Sequence, residues 1–124
     1  MKLLTHNMLT SKCLKNVQVG YPLGLKATDI KISEVEFNPE FISRIIPKVD
    51  WEALFKTAET IGHAEGLPPA VVPDYENNED FLKKAHHVLM EVEVINGELV
   101  CPETGRKFPI SDGIPNMLAN EDEV

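Results

Sequence analysis

Residues 91–102 read EVEVINGELVCP, with Val92 and Val94 alternating with charged residues before Asn96-Gly97, then Leu99 and Cys101. Alternation of period two is the pattern of a half-buried strand. Asn-Gly is the pair that tolerates positive φ at both centres of a type I′ turn, so the segment predicts a β-hairpin. Downstream, CPETG turns the chain into RKFPI, and Asp112-Gly113 turns it again before IPNML. Three or four such short strands make a poor sheet with little core, so they need a further strand, most naturally from residues 1–10 or 25–37. The two ends of the chain are thereby expected to build one sheet.

The middle of the chain reads as helices. In LKATDIKISEVEF, Ile30, Ile32 and Val35 among charged neighbours suggest a strand ending at Phe37. Asn38-Pro39 then opens a short helix, with Asn as N-cap and Pro in the first turn, where a missing N–H costs nothing. That helix carries Phe41, Ile42, Ile45 and Ile46 and stops near Pro47. Asp50 caps the next, in which Trp51, Leu54, Phe55, Ala58 and Ile61 form one buried stripe, ended by Gly62 or Gly66. GLPPAVVPDYENN is a proline-rich loop. A third helix, from about Glu79 to Met90, buries Phe81, Leu82, Ala85, Val88 and Leu89.

A chain of 124 residues with 43% hydrophobic and 26% charged residues is long enough to bury one core. Its formal charge of −8 is uneven: residues 1–48 hold seven Lys/Arg against four Asp/Glu, and residues 49–124 hold five against sixteen. An acidic chain repels phosphate, which disfavours a stand-alone nucleic-acid binder. No run approaches the ~18 apolar residues of a membrane span, and the apolar start MKLLTHNMLTSK, broken by Thr5, His6 and Asn7, is too short for a secretory signal. An intracellular protein is expected.

CPETG is half of a zinc knuckle, with Pro102 and Gly105 in place and Thr104 where a second cysteine would stand. Structural zinc needs four N or S ligands, usually as two close pairs. Cys13 has no second cysteine nearby, although His6 lies seven positions before it; His63, His86 and His87 are the other histidines. His86 and His87 are adjacent on a helix and point about 100° apart, so they do not grip one metal from one face. A metal-free ribbon packed by Cys13, Cys101 and Thr104 is expected, with no metal ligands. The two cysteines lie 88 positions apart and form no disulfide framework. Two free buried thiols are expected in a reducing cytosol, with a disulfide between them as the open alternative. Neither thiol has a local base, and there is no phosphate loop; Gly20 and Gly24 are too isolated to cradle a cofactor, so no catalytic residue is expected. GIPNML, an uncharged run, reads either as an edge strand offering Ile114, Met117 and Leu118 to another protein or as the last piece of the core.

MKLLTHNML, VEFNP with IPKVDW, and VLMEVEV followed by GELVCPETGRKFPISDGIPNML resemble, in order and from Met1 to about Glu121, the small multifunctional activator subunit shared by several eukaryotic methyltransferases. The resemblance implies an α+β fold: a small zinc-ribbon-like β domain from residues 1–37 and 91–124, with a helical insertion over 38–90. It implies a non-catalytic, obligate regulatory subunit in one-to-one heterodimers with S-adenosylmethionine-dependent methyltransferases that act on tRNA, rRNA or the glutamine of a translation termination factor. The partner would hold S-adenosylmethionine, and this chain would bind no cofactor. RNA would be reached through the complex only, no membrane would be involved, and the protein would work in cytoplasm and nucleus. Pairing in the family by strand addition nominates Ile114, Pro115, Asn116, Met117 and Leu118, with Phe108, Pro109, Ile110 and the N-terminal Thr5, His6, Asn7 and Met8 as neighbours. Fungal members carry two cysteines near the N-terminus and a Cys-Pro-x-Cys pair near the C-terminus; this chain keeps Cys13 and Cys101, so zinc is not expected. Two other classes compete. One is a stand-alone zinc-ribbon-like RNA-binding module, opposed by the −8 charge. The other is a thiol redox protein using Cys13 and Cys101, which lack the cationic cluster that would depress a thiol pKa.

Overall fold

The computed structural model describes residues 1–11, 14, 15, 17–64 and 66–118. A four-stranded antiparallel sheet in the order β1-β2-β3-β4 is built from Gly24–Ile32 (β1), Val92–Val100 (β2), Lys107–Ser111 (β3) and Ile114–Pro115 (β4). Four helices accompany it: α1 (Leu3–Met8), α2 (Pro39–Ile45), α3 (Trp51–Thr60) and α4 (Glu79–His86). Sheet and helices share one core, in which Leu3, Leu23, Leu25, Ile42, Leu54, Phe81, Leu89, Val94, Leu99 and Phe108 are buried together. The passage from strands to helices at residues 37–38 and 90–91 is therefore not a break in packing.

The predicted hairpin at Asn96-Gly97 is absent. Residues 92–100 run straight through as β2, paired to β1 on one side. Ala27 lies opposite Gly97, Asp29 opposite Asn96 and Ile30 opposite Val94, so Thr28 of β1 and Ile95 of β2 are extra residues in two compensating bulges. The strands come so close there that a Cβ on Gly97 would stand 2.2 Å from the Lys26 carbonyl oxygen. A glycine and a short polar residue suit such a crossing as well as they suit a turn. The two-residue turn of the sheet lies instead at Asp112-Gly113, where φ is 51° and 78°, joining β3 to β4.

Residues 1–10 are also not a strand. Leu3, His6 and Asn7 follow i, i+3, i+4 and are the buried side of α1, while only Met1 and Lys2 touch the sheet. The Val94 N–H donates to the Met1 carbonyl (2.8 Å), Lys2 bridges Glu93, and the Gly113 N–H donates to Ile95 (2.8 Å). The edge of β2 that faces β3 is thus completed by the N-terminal residues and the β3–β4 turn.

The strand expected to reach Phe37 stops at Ile32. Side chains take over the backbone of Val35: its N–H donates to Glu91 (3.0 Å) and its carbonyl accepts from the His86 ring (2.9 Å). The helices begin where short polar residues cap them. Asn38 accepts from the Phe41 N–H, Asp50 from Ala53 and Asn78 from Phe81, at 3.1 to 3.2 Å. Trp51 roofs the core: its indole N–H donates to Pro68 (2.9 Å) and its ring lies 5.1 Å from that of Phe81, which docks the proline-rich loop. The helix expected through Met90 keeps α-geometry to His86 and widens into a π-helical turn, His87–Glu91, before β2.

Candidate docking edge

The sheet has two edges of opposite character. β1 is the longer, nine residues, but it carries Lys26, Asp29 and Lys31 and is bent by the bulges described above. Charges and bulges on an outer strand discourage pairing with another chain. The other edge, from Gly113 to Leu118, holds no charged residue. Ile114 is 69% exposed and Leu118 80% exposed. The antiparallel ladder is set by Ser111 opposite Ile114 and Ile110 opposite Pro115, and continues with the Asn116 N–H donating to Pro109 (2.9 Å). Alternation along such a ladder turns Pro115 outward, where its missing N–H leaves no donor unsatisfied and its carbonyl is an acceptor for an added strand.

The nominated neighbours divide into surface and support. Thr5 and Met8 are exposed, Met8 by 50%, and Pro109 is exposed. His6, Asn7, Phe108 and Ile110 are buried, so of the nominated neighbours these four do not present their side chains at the surface. The helical turn of α1 puts His6 and Asn7 inward, and the pleat of β3 does the same for Phe108 and Ile110. His6 Nε2 lies 2.7 Å from the Leu23 carbonyl. Burial holds this imidazole below its ordinary range, against a smaller opposite pull from that carbonyl. Asn7 makes two bonds to the backbone of Asp50: its amide donates to the Asp50 carbonyl (2.9 Å) and its oxygen accepts from the Asp50 N–H (3.0 Å). Met117 is half-buried and packs on the core, so Ile114 and Leu118 are the exposed apolar side chains of the segment. Asp112-Gly113 turns the chain as the sequence predicts, and the inward bonds of Asn7 to Asp50 are what sequence reasoning missed. Asp112-Gly113 carried the same turn signal as Asn96-Gly97, and Asn7 lay in one of the two stretches, 1–10 or 25–37, offered for the further strand, of which the second supplies β1.

Between β2 and β3 the knuckle folds as expected, with the Gly105 N–H donating to Cys101 (2.9 Å) and Gly105 at φ 77°. The Cys101 thiol is 1% exposed and is surrounded by donors: the Ser11 hydroxyl at 3.0 Å and the Thr104 N–H at 3.4 Å. Burial pushes this thiol up, but the bonds from Ser11 and Thr104 outweigh it and bring it down to about 7. Thr104 stands where a second knuckle thiolate would be, and among the described residues no cluster of three or more His, Cys, Asp or Glu is placed to hold a metal ion. Cys13 lies outside the described residues, and with it the disulfide and redox readings.

A family model described as Trm112p-like protein matches residues 2–113. The chain is 55% identical to the mouse multifunctional methyltransferase subunit TRM112-like protein, over 100% of this chain and 98% of that one. It is 49% identical to homolog A of the TRM112 subunit from Arabidopsis thaliana, over the whole of both chains. Among solved structures it is similar in fold to a chain of the E. cuniculi Mtq2-Trm112 complex, described as responsible for methylating the translation termination factor eRF1. That likeness has a TM-score of 0.53 and 16% identity and covers 95% of each chain.

Proposed function

The chain belongs to the Trm112p-like family, and from that membership we propose that it is the non-catalytic subunit of S-adenosylmethionine-dependent methyltransferases, docking one-to-one through β4 and the residues after it. The observation that carries the docking reading is the contrast between the two sheet edges, one charged and bulged, the other uncharged with Ile114 and Leu118 exposed. The names of the relatives support methyltransferase subunit, and the E. cuniculi complex supports an eRF1 methyltransferase as one partner class. Enzymes acting on tRNA and rRNA are the others in this reading.

The division of labour follows from the chemistry on each side. The catalytic chain would hold S-adenosylmethionine and the substrate. This chain would supply a strand end and an apolar cover, which removes an aggregation-prone sheet edge from water. Cys101 is 1% exposed, and that enclosure keeps a substrate from its thiol even though the Ser11 and Thr104 bonds lower it to about 7. Work in the cytoplasm and nucleus, where such RNA and protein substrates are made, is part of the proposal. Among the described residues no helix is long and apolar enough to cross a membrane.

The test is co-expression with an eRF1-type methyltransferase. The two chains should co-purify one-to-one, with the catalytic chain more soluble than when expressed alone. Ile114→Asp combined with Leu118→Asp should abolish co-purification and leave the melting of the isolated subunit within about 0.5 kcal/mol of the parent, since both side chains are exposed. Retention of the complex by the double variant would remove β4 as the docking edge.

A further inference from the structure

Glu103, in the turn between β2 and β3, reaches across to a segment more than 80 positions away in sequence. Its carboxylate accepts from three consecutive backbone N–H groups: Gln18 at 3.2 Å, Val19 at 3.0 Å and Gly20 at 2.6 Å. Successive amides converging on one point form a concavity that favours an anion. The two segments meet again where the Ser11 hydroxyl donates to Cys101 Sγ (3.0 Å), with Ser11 itself tied to Gly20 by its N–H donating to the Gly20 carbonyl (3.0 Å). Gly20 is held at φ +60°, and a Cβ there would stand 2.6 Å from Ser11 Oγ, so the concavity is built around a residue that admits no side chain.

We propose that residues 18–20 are an anion-binding nest for a carboxylate, that Glu103 is its built-in occupant, and that this latch joins the N-terminal loop to the knuckle. A zinc ribbon ties two such loops through a shared metal; the Glu103 carboxylate on three amides joins them beside the Ser11–Cys101 bond. The amides of Gly20, Gln18 and Val19 hold the Glu103 carboxyl below its ordinary range, so the occupant is anionic at neutral pH. The latch is a property of the isolated chain and does not depend on the docking proposal.

Amide hydrogen exchange by NMR on the full chain at neutral pH tests it. In Glu103→Ala the amides of Gln18, Val19 and Gly20 should exchange about tenfold faster. The Gly105 amide, bonded within the knuckle, and the Val94 amide, bonded to Met1, should be unchanged. Excess sodium acetate should restore protection at the same three amides, because a formed nest accepts a carboxylate from solution. Glu103→Gln, which keeps the shape and one acceptor oxygen, should fall between parent and Ala variant. Unchanged exchange in Glu103→Ala would overturn the latch, as would parent-like exchange in Glu103→Gln. Faster exchange that acetate does not reverse would overturn the nest.

Discussion

Gly97 is the residue whose replacement the structure forbids most plainly. With a Cβ 2.2 Å from the Lys26 oxygen and 3.0 Å from Ala27 Cα, Gly97→Ala must push β1 and β2 apart at the centre of the sheet. A loss of about 1–3 kcal/mol or more is expected from the urea midpoint of the isolated chain. His6 gives a residue-level prediction of another kind. Its folded pKa is lowered, so the unfolded chain binds the proton better. The stability this contributes is complete above the ordinary value of 6.5 and declines as the pH falls below it. Melting temperature followed from pH 7.5 to 5.5 should fall in the parent and fall less in His6→Gln. Cys101, brought from 9.0 to about 7, and the Met1 amino group, lowered from 8.0 chiefly by burial, also lose stability as the pH falls into this window. The His6 contribution is therefore the difference between parent and His6→Gln. Glu91 and Glu103 act lower. Both carboxyls titrate below their ordinary value of 4.5 in the folded chain, so their losses come at lower pH.

At the scale of elements, Asn7 and Thr5 were nominated together for the docking surface, and α1 separates them. Asn7→Ala removes both bonds to the N-cap residue of α3 and should cost about 1–3 kcal/mol, whereas Thr5→Ala on the exposed side should stay within about 0.5 kcal/mol; thermal melts of the two variants decide this. The helices were legible because their signals are local. Asn38 and Asp50 cap where expected, and the stripe from Trp51 to Ala58 is buried on one side. The sheet was half legible. RKFPI and the Asp112-Gly113 turn were readable from composition and turn chemistry, but Asn96-Gly97 was not, because a close strand crossing and a tight turn ask for the same residues. The end of β1 at Ile32 depends on His86 and Glu91, which meet Val35 only in three dimensions. The β4 edge that the docking proposal uses was legible as an uncharged apolar run. Which of its residues face water was not, since that depends on a two-residue register that brings Met117 inward and leaves Ile114 and Leu118 out.

For the whole molecule, the docking proposal carries a thermodynamic corollary. A methyltransferase that binds the folded chain and not the unfolded one stabilises it by about 2.7 kcal/mol at a hundredfold excess over Kd. The melting temperature of this chain should therefore climb with partner concentration, and the Ile114→Asp, Leu118→Asp double variant should show no climb. The meeting of Met1 with Val94, 93 positions further on, bears on how the molecule is made. β1 pairs with β2, and α1 rests on the π-helical turn just before β2 as well as on α3 through Asn7, so the sheet closes only when residues far apart in the chain have met. Loop-closure entropy makes that sheet the slow step and the locally capped helices the fast one. By that reasoning the locally capped helices and the β3–β4 turn come before the long-range pairing of β1 with β2.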